Sequence, residues 1–279
     1  MGLAWHGSAK VSAVQRLLFL GVGTIASAVQ RALPTLPAVG TTRSAPDQRF
    51  GTIRPIAAGD RAAVRAAAHG AAVVVSFPPD GSVDRAYCEL MTDAASIAYL
   101  SSTAVYPPNA GRVTEASPVE AHGERATLRL GAEQLWRDAG ASVVRLPAFY
   151  GLSSGLHVSL ARGTFRMPGS GSNIVSRVHE DDAARFVCAA LNAPPGSLLL
   201  AGDDEPSPVA QAVEFVCRLF GLSQPLASEG EQIPLSLRSS RHIDNHATRT
   251  VHQIQLAYPT YREGYRAIYA ARTKSPGYY

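Results

Sequence analysis

Apolar runs of four to seven residues alternate with helix-period stretches over the first half of the chain. Arg16-Leu17-Leu18-Phe19-Leu20 is a short apolar run that stops at glycine, the pattern of a strand buried on both faces. Ala26 to Leu33 has helical spacing and ends before Pro34. Pro37 to Gly40 and Ile53 to Ala58 read as weaker strands, and residues 61–69 as an alanine-rich helix closed by Gly70. Ala71 to Phe77 is the clearest strand, and Pro78-Pro79 stops it. A helix over 82–95, a strand from Ile97 to Leu100, a helix over 122–139 and a strand from Val143 to Leu146 follow. Such alternation predicts parallel strands joined by right-handed crossovers, an α/β fold with a doubly wound Rossmann-type sheet.

The rhythm changes after Gly151. Residues 152–178 are rich in Gly and Ser; a helix over 181–192 and a strand from Ser197 to Leu200 then return to the first pattern. A helix over 207–220, a long polar loop and a tyrosine-rich helix close the chain. The division this implies is an N-terminal extension over 1–15 without fixed structure and an α/β core over 16–151, rejoined by 179–204. Residues 152–178 and 205–279 form a small substrate lobe.

Composition narrows the function. The 279 residues are 46% hydrophobic, which suffices for a full core, and their net charge of +4 is scattered without a Lys/Arg block. That argues against nucleic acid as a partner. Cys88, Cys188 and Cys217 have no metal-ligand spacing, so no metal site is expected, and an odd count suits a reducing compartment. No stretch is long and apolar enough for a membrane span. The expected setting is cytoplasmic, with a small-molecule substrate as partner and a homodimer left open.

The strongest motif is Gly21-Val22-Gly23-Thr24-Ile25-Ala26, a Gly-x-Gly-x-x-Ala series between a strand and a helix. Gly21 permits the tight turn, Gly23 lets backbone approach a pyrophosphate, and the N–H groups of Thr24 and Ile25 lie at the positive end of the helix. An ordinary tight turn is the alternative. No acid follows the second strand; Thr42-Arg43-Ser44 offers a guanidinium and two hydroxyls instead. An acid there would hold a ribose 2′-hydroxyl and repel a 2′-phosphate, so Arg43 and Ser44 point to NADP(H), a solvated loop arginine being the alternative. Asp60 is read as an acceptor for the adenine amino group. Phe77 and Pro78 are read as a wall for the adenosine, or as plain core.

Further motifs are Tyr99-Leu100-Ser101-Ser102-Thr103-Ala104-Val105-Tyr106, Arg145-Leu146-Pro147-Ala148-Phe149-Tyr150-Gly151 and Arg177-Val178-His179-Glu180-Asp181-Asp182-Ala183. With the glycine turn, this ordered series resembles the extended short-chain dehydrogenase/reductase superfamily, the NAD-dependent epimerase/dehydratase group. Thr41-Thr42-Arg43-Ser44, Ser76-Phe77-Pro78-Pro79 and the tail from Tyr258 to Gly264 resemble its atypical, YeeZ-like branch. The resemblance spans residues 16 to 270 and implies a nicotinamide cofactor and hydride transfer. It assigns Ser102, helped by Thr103, to the substrate oxygen or nitrogen.

The family's Tyr-x-x-x-Lys pair is missing. Aligned on Glu133, Arg125 stands at the tyrosine position and Arg129 at the lysine position, where it would still bind ribose or phosphate. An arginine is no acid near neutral pH. A substitute proton donor would come from Tyr106, Tyr150, His157 or His179; Tyr150 is the first choice, His179 a loop tether. Asp181-Asp182 reads as a helix cap.

The function expected from these features is an NADP(H)-dependent oxidoreductase or epimerase-like enzyme acting on a small polar metabolite: a carbonyl, imine or nucleotide sugar. Arg162, Arg166 and Arg177 would favour an anionic one, unless they are simply solvated. A non-catalytic NADP-binding regulator stays open because the pair is lost. A β-hydroxyacid-dehydrogenase or imine-reductase architecture fits less well, since 152–178 and 197–206 do not read as all-helical.

Overall fold

The computed structural model describes residues 14–47, 49–228 and 238–274. Strand and helix alternate from the start: β1 (Leu17–Leu20), α1 (Thr24–Ala32), β2 (Ala38–Thr42), β3 (Arg54–Ala57), α2 (Arg61–Ala68), β4 (Ala72–Val75) and α3 (Gly81–Cys88). Next come β5 (Ser96–Ser102), a 3-10 turn at Thr103–Val105, β6 (Gly111–Val113), α4 (Glu124–Asp138) and β7 (Ser142–Leu146). The second half holds β8 (Ala148–Tyr150), α5 (Leu156–Ala161), β9 (Met167–Pro168), β10 (Ile174–Val175), β11 (Arg177–His179), α6 (Glu180–Asn192) and β12 (Leu198–Leu200). Last are β13 (Ser207–Pro208), α7 (Val209–Phe220), β14 (Ala227–Ser228), β15 (Arg241–Ile243), α8 (His246–Val251) and α9 (Tyr261–Lys274).

Seven strands form one parallel sheet in the order β12-β7-β5-β4-β1-β2-β3. Strand order reverses between β1 and β4, so a crevice opens beyond their carboxyl ends, where such sheets bind ligands. Side-chain alternation splits the core in two. Leu17, Phe19, Val74, Ala98 and Leu100 pack under α1 and α6, while Leu18, Leu20, Val73, Val75 and Tyr99 pack under α2, α3 and α4. β3 carries Pro55, which an edge strand tolerates because it need not donate on both sides.

The sequence reading departs from this in places. β2 runs through Thr42, so the polar turn begins directly at its end. α3 stops at Cys88, seven residues before the expected end at 95. Of the expected N-terminal extension, residues 1–13 lie outside the described residues; Val14 is buried in the core. A small sheet, β13-β10-β15-β6, draws its outer strand from Gly111–Val113, within the stretch assigned wholly to the nucleotide core. Around it α5, α7 and α9 enclose a third core of Tyr150, Ala212, Val216, Tyr261, Tyr265 and Ile268. No described helix is long and apolar enough to cross a membrane.

Candidate functional site

The turn after β1 sits at the crevice. Gly21 has φ +86°, and a β-carbon there would meet Phe77 N at 3.2 Å, so both backbone conformation and space require glycine. Two contacts clamp the turn: Gly21 N donates to Thr41 Oγ1 at 2.8 Å, and Ser76 Oγ donates to Gly21 O at 2.7 Å. They tie the turn to the ends of β2 and β4. Gly23 caps α1 without a side chain, and a β-carbon on it would meet nothing within 4 Å. The first turn of α1 holds no acid, so its free N–H groups keep their positive field. Thr24 and Ile25 contribute through backbone alone, because the Ile25 side chain is buried in the core.

A cavity of about 890 Å³ opens on this turn. One wall is apolar: Phe50, Phe77, Pro78 and Tyr87, with the Phe77 and Tyr87 rings 5.5 Å apart. The other holds Arg43, Ser44, Arg49 and Arg61. Arg49 is paired with Asp47 and Arg61 with Glu89, whereas Arg43 forms no ion pair among the described residues. Thr42 Oγ1 donates to Ser44 O at 2.6 Å and folds the turn that presents Arg43. Asp60 corrects an expectation: its carboxylate caps α2 by accepting from Ala63 N at 3.0 Å, and it does not line the cavity. An aspartate before a helix is drawn to the unpaired N–H groups of the first turn.

Ser102 ends β5, half-buried, and its Oγ accepts from Ala104 N at 3.1 Å. Thr103 follows, buried. Beneath them lies a buried ionic network. Glu133 accepts from Ser101 Oγ and from Arg145 at 3.1 and 2.6 Å, and Arg145 also donates to Tyr106 Oη at 2.8 Å. Arg129 donates to Leu100 O at 3.1 Å and does not line the large cavity; Arg125 is exposed on the first turn of α4.

None of the expected substitute donors stands free at this strand end. Tyr106 is fully buried, its hydroxyl engaged by Arg145. Tyr150, the first choice, is buried by packing in the lobe and also contributes to the wall of a second cavity. Alternation along β8 turns it into the third core, stacked on Tyr265 at 4.5 Å, with its hydroxyl against Gly264. Burial drives its phenol far above the ordinary range, so it keeps its proton. His157 is buried between Phe220 and Tyr265, and burial pushes its pKa down to about 4. His179 is a tether as expected: its Nδ1 accepts from Asp181 N at 3.2 Å and caps α6. The cap is therefore not Asp181-Asp182. Asp182 accepts from Ala257 N and Tyr258 N at 2.7 and 2.9 Å, fastening the C-terminal segment to α6.

Thr41, Ser76, Phe50, Tyr87, Arg49 and Arg61 complete the site beyond the motif reading. Thr41 and Ser76 lie inside motifs already singled out; the others carry no local signal and meet only in the fold.

No protein-family model matches the chain. A 3-diazoavenalumate denitrifying reductase from a Streptomyces species is 27% identical over 160 residues, 51% of this chain and 53% of that protein. The chain thus spans about half the length of that curated relative. A conserved protein of unknown function from Silicibacter pomeroyi superposes with a TM-score of 0.78 at 27% identity, over 92% of this chain and 99% of that one. The dTDP-glucose 4,6-dehydratase DesIV from Streptomyces venezuelae, solved with NAD bound, gives 0.78 at 17% identity, over 95% and 98%. Together with the strand order and the glycine turn, these likenesses show a Rossmann-type α/β fold shared with that dehydratase.

Proposed function

We propose that the chain is an NADP(H)-dependent oxidoreductase or epimerase-like enzyme of the atypical, YeeZ-like short-chain type, acting on a small metabolite. The observation that carries this reading is the uncapped α1 N-terminus behind Gly21 and Gly23, opening on a cavity whose β2 rim presents Arg43 without an ion partner. A pyrophosphate fits the open space over Gly23, and a 2′-phosphate fits the guanidinium of Arg43. The reductase name of the relative matched over about half its length and the NAD in the solved dehydratase support a nicotinamide dinucleotide.

When bound, such a cofactor supplies a hydride donor or acceptor. Ser102 is the chain's own contribution. Its Oγ already accepts from Ala104 N, so the hydroxyl hydrogen is left to donate to a substrate oxygen or nitrogen. With Tyr106, Tyr150, His157 and His179 all occupied or packed away, Ser102 polarises the substrate and solvent completes proton transfer. In single turnover, followed by NADPH absorbance, Ser102→Ala should slow hydride transfer at least about tenfold, the low end for a lost polar catalyst. An unchanged rate would remove Ser102 from the chemistry. The exposed Arg125 and the Leu100-bound Arg129, in place of a tyrosine and a lysine, favour a second reading, an NADP-binding regulator. Tight NADP binding with no turnover on a carbonyl, imine and nucleotide-sugar panel would select it.

A further inference from the structure

A second cavity, of about 420 Å³, lies where the sheet meets the small lobe. It begins at Ala148 and Phe149 of β8, just past β7, whose Leu146 is the sheet partner of Ser102. The cavity therefore begins on the segment that leaves the Ser102-paired strand end. Leu156, Phe165, Val175 and Val209 continue the wall in carbon.

The polar groups on this wall are few, and among them the Tyr150 hydroxyl is buried without a hydrogen-bond partner among the described residues. Ser159 Oγ donates to Leu156 O at 3.1 Å, and Thr164 Oγ1 to Ser159 O at 3.2 Å. Tyr265 Oη accepts from Leu156 N at 3.0 Å. Arg177 is buried, donating to Val175 O and Ser207 Oγ at 2.9 and 3.0 Å. Arg166 differs: it is exposed, bonded only to the Gly163 and Phe165 carbonyls, and has no carboxylate partner among the described residues. No acid lines the cavity, so its electrostatic balance is positive. Arg162 is exposed and outside the lining.

Resting on the proposed function, we infer that this cavity takes a flat, largely apolar carboxylic acid, an aryl carboxylate in class, rather than a nucleotide sugar. A sugar would bury several hydroxyls against walls that are mostly carbon, with few polar side chains besides the Tyr150 and Tyr265 phenols to meet them, and each unpaired hydroxyl costs affinity. An aromatic body gains from stacking on Phe149 and Phe165. A carboxylate meets Arg166 at the rim, where the guanidinium can present two parallel N–H groups. The volume lies within the range of small-ligand pockets, which are apolar with a few placed polar groups.

Calorimetry on the full chain, with and without NADP⁺, tests this with trans-cinnamate, trans-cinnamamide and UDP-glucose as probes. Cinnamate should bind at least about tenfold more tightly than its neutral amide, the scale of one charge-assisted contact. Arg166→Gln, at an exposed position that should not disturb folding, should shrink that gap to below about threefold. Phe149→Ser should weaken acid and amide together and leave NADP⁺ affinity unchanged. The inference is overturned if cinnamate binds no better than the amide, if UDP-glucose displaces it, or if Arg166→Gln preserves the gap. It is equally overturned if NADP⁺ binds and none of the three probes does. Acid-selective binding of cinnamate by a chain that refuses NADP⁺ would sink the cofactor reading and leave this one standing.

Discussion

The two ends of the crevice are built by different rules. At the glycine-turn end, a run of consecutive residues from Gly21 to Ala26 makes the turn and the helix start, with backbone N–H groups facing the crevice. At the Ser102 end, Ser102, Glu133, Arg145 and Phe149 come from three strands and a helix, and a buried ionic network holds the strand end in place. Backbone recognition survives exchange of most side chains. A side-chain constellation does not, and that is the end at which α4 carries Arg125 and Arg129.

The largest expected effect comes from breaking the network. Glu133→Ala leaves Arg145 buried without its partner and should destabilise the fold by about 3–5 kcal/mol in urea unfolding. A loss below about 1 kcal/mol would mean that the network does not hold the Ser102 end. Gly23→Val tests the other end. It puts a branched side chain into the open space over the α1 N-terminus, and should cost at least about 100-fold in NADP⁺ affinity, roughly 2.7 kcal/mol, with native circular dichroism. Retained affinity would reduce the motif to a tight turn.

The smallest effect is a pH dependence in the lobe. Burial holds the folded His157 pKa down at about 4 against an ordinary 6.5, so between those values the unfolded chain binds a proton that the folded chain refuses. Stability therefore rises with pH through that window and is lost as pH falls from 6.5 toward 4. His157→Phe keeps the stacking on Phe220 and should lessen this acid-side loss by about 1–2 kcal/mol, read from urea melts at pH 4.5 and 7. Identical pH slopes for variant and parent would exclude His157 as a source.

What could be read in the sequence follows the same division. The glycine turn, its strand and its helix were legible because each signal lies within a dozen residues. Ser102 was singled out only through the family resemblance; the strand read as ending at Leu100 runs on to it. The small sheet was not legible: its strands are two or three residues long, too short for a period, and β6 pairs with β15 across about 130 residues of sequence. The packing of Tyr150 was not legible because it depends on β8 pairing with β11, which sends it toward Tyr265. Asp60 and His179 are capping residues, and a cap is visible only once the helix start is fixed to the residue.

The central claim is that this crevice holds NADP(H) through the α1 N-terminus and Arg43. Calorimetric titration of the parent chain and of Arg43→Ala with NADP⁺ and with NAD⁺ tests it most directly. The account predicts that the parent prefers NADP⁺, and that Arg43→Ala loses about 1–3 kcal/mol toward NADP⁺ alone, the worth of a charge-assisted phosphate contact. Equal losses toward both cofactors, or a parent that prefers NAD⁺ or binds neither, would contradict it.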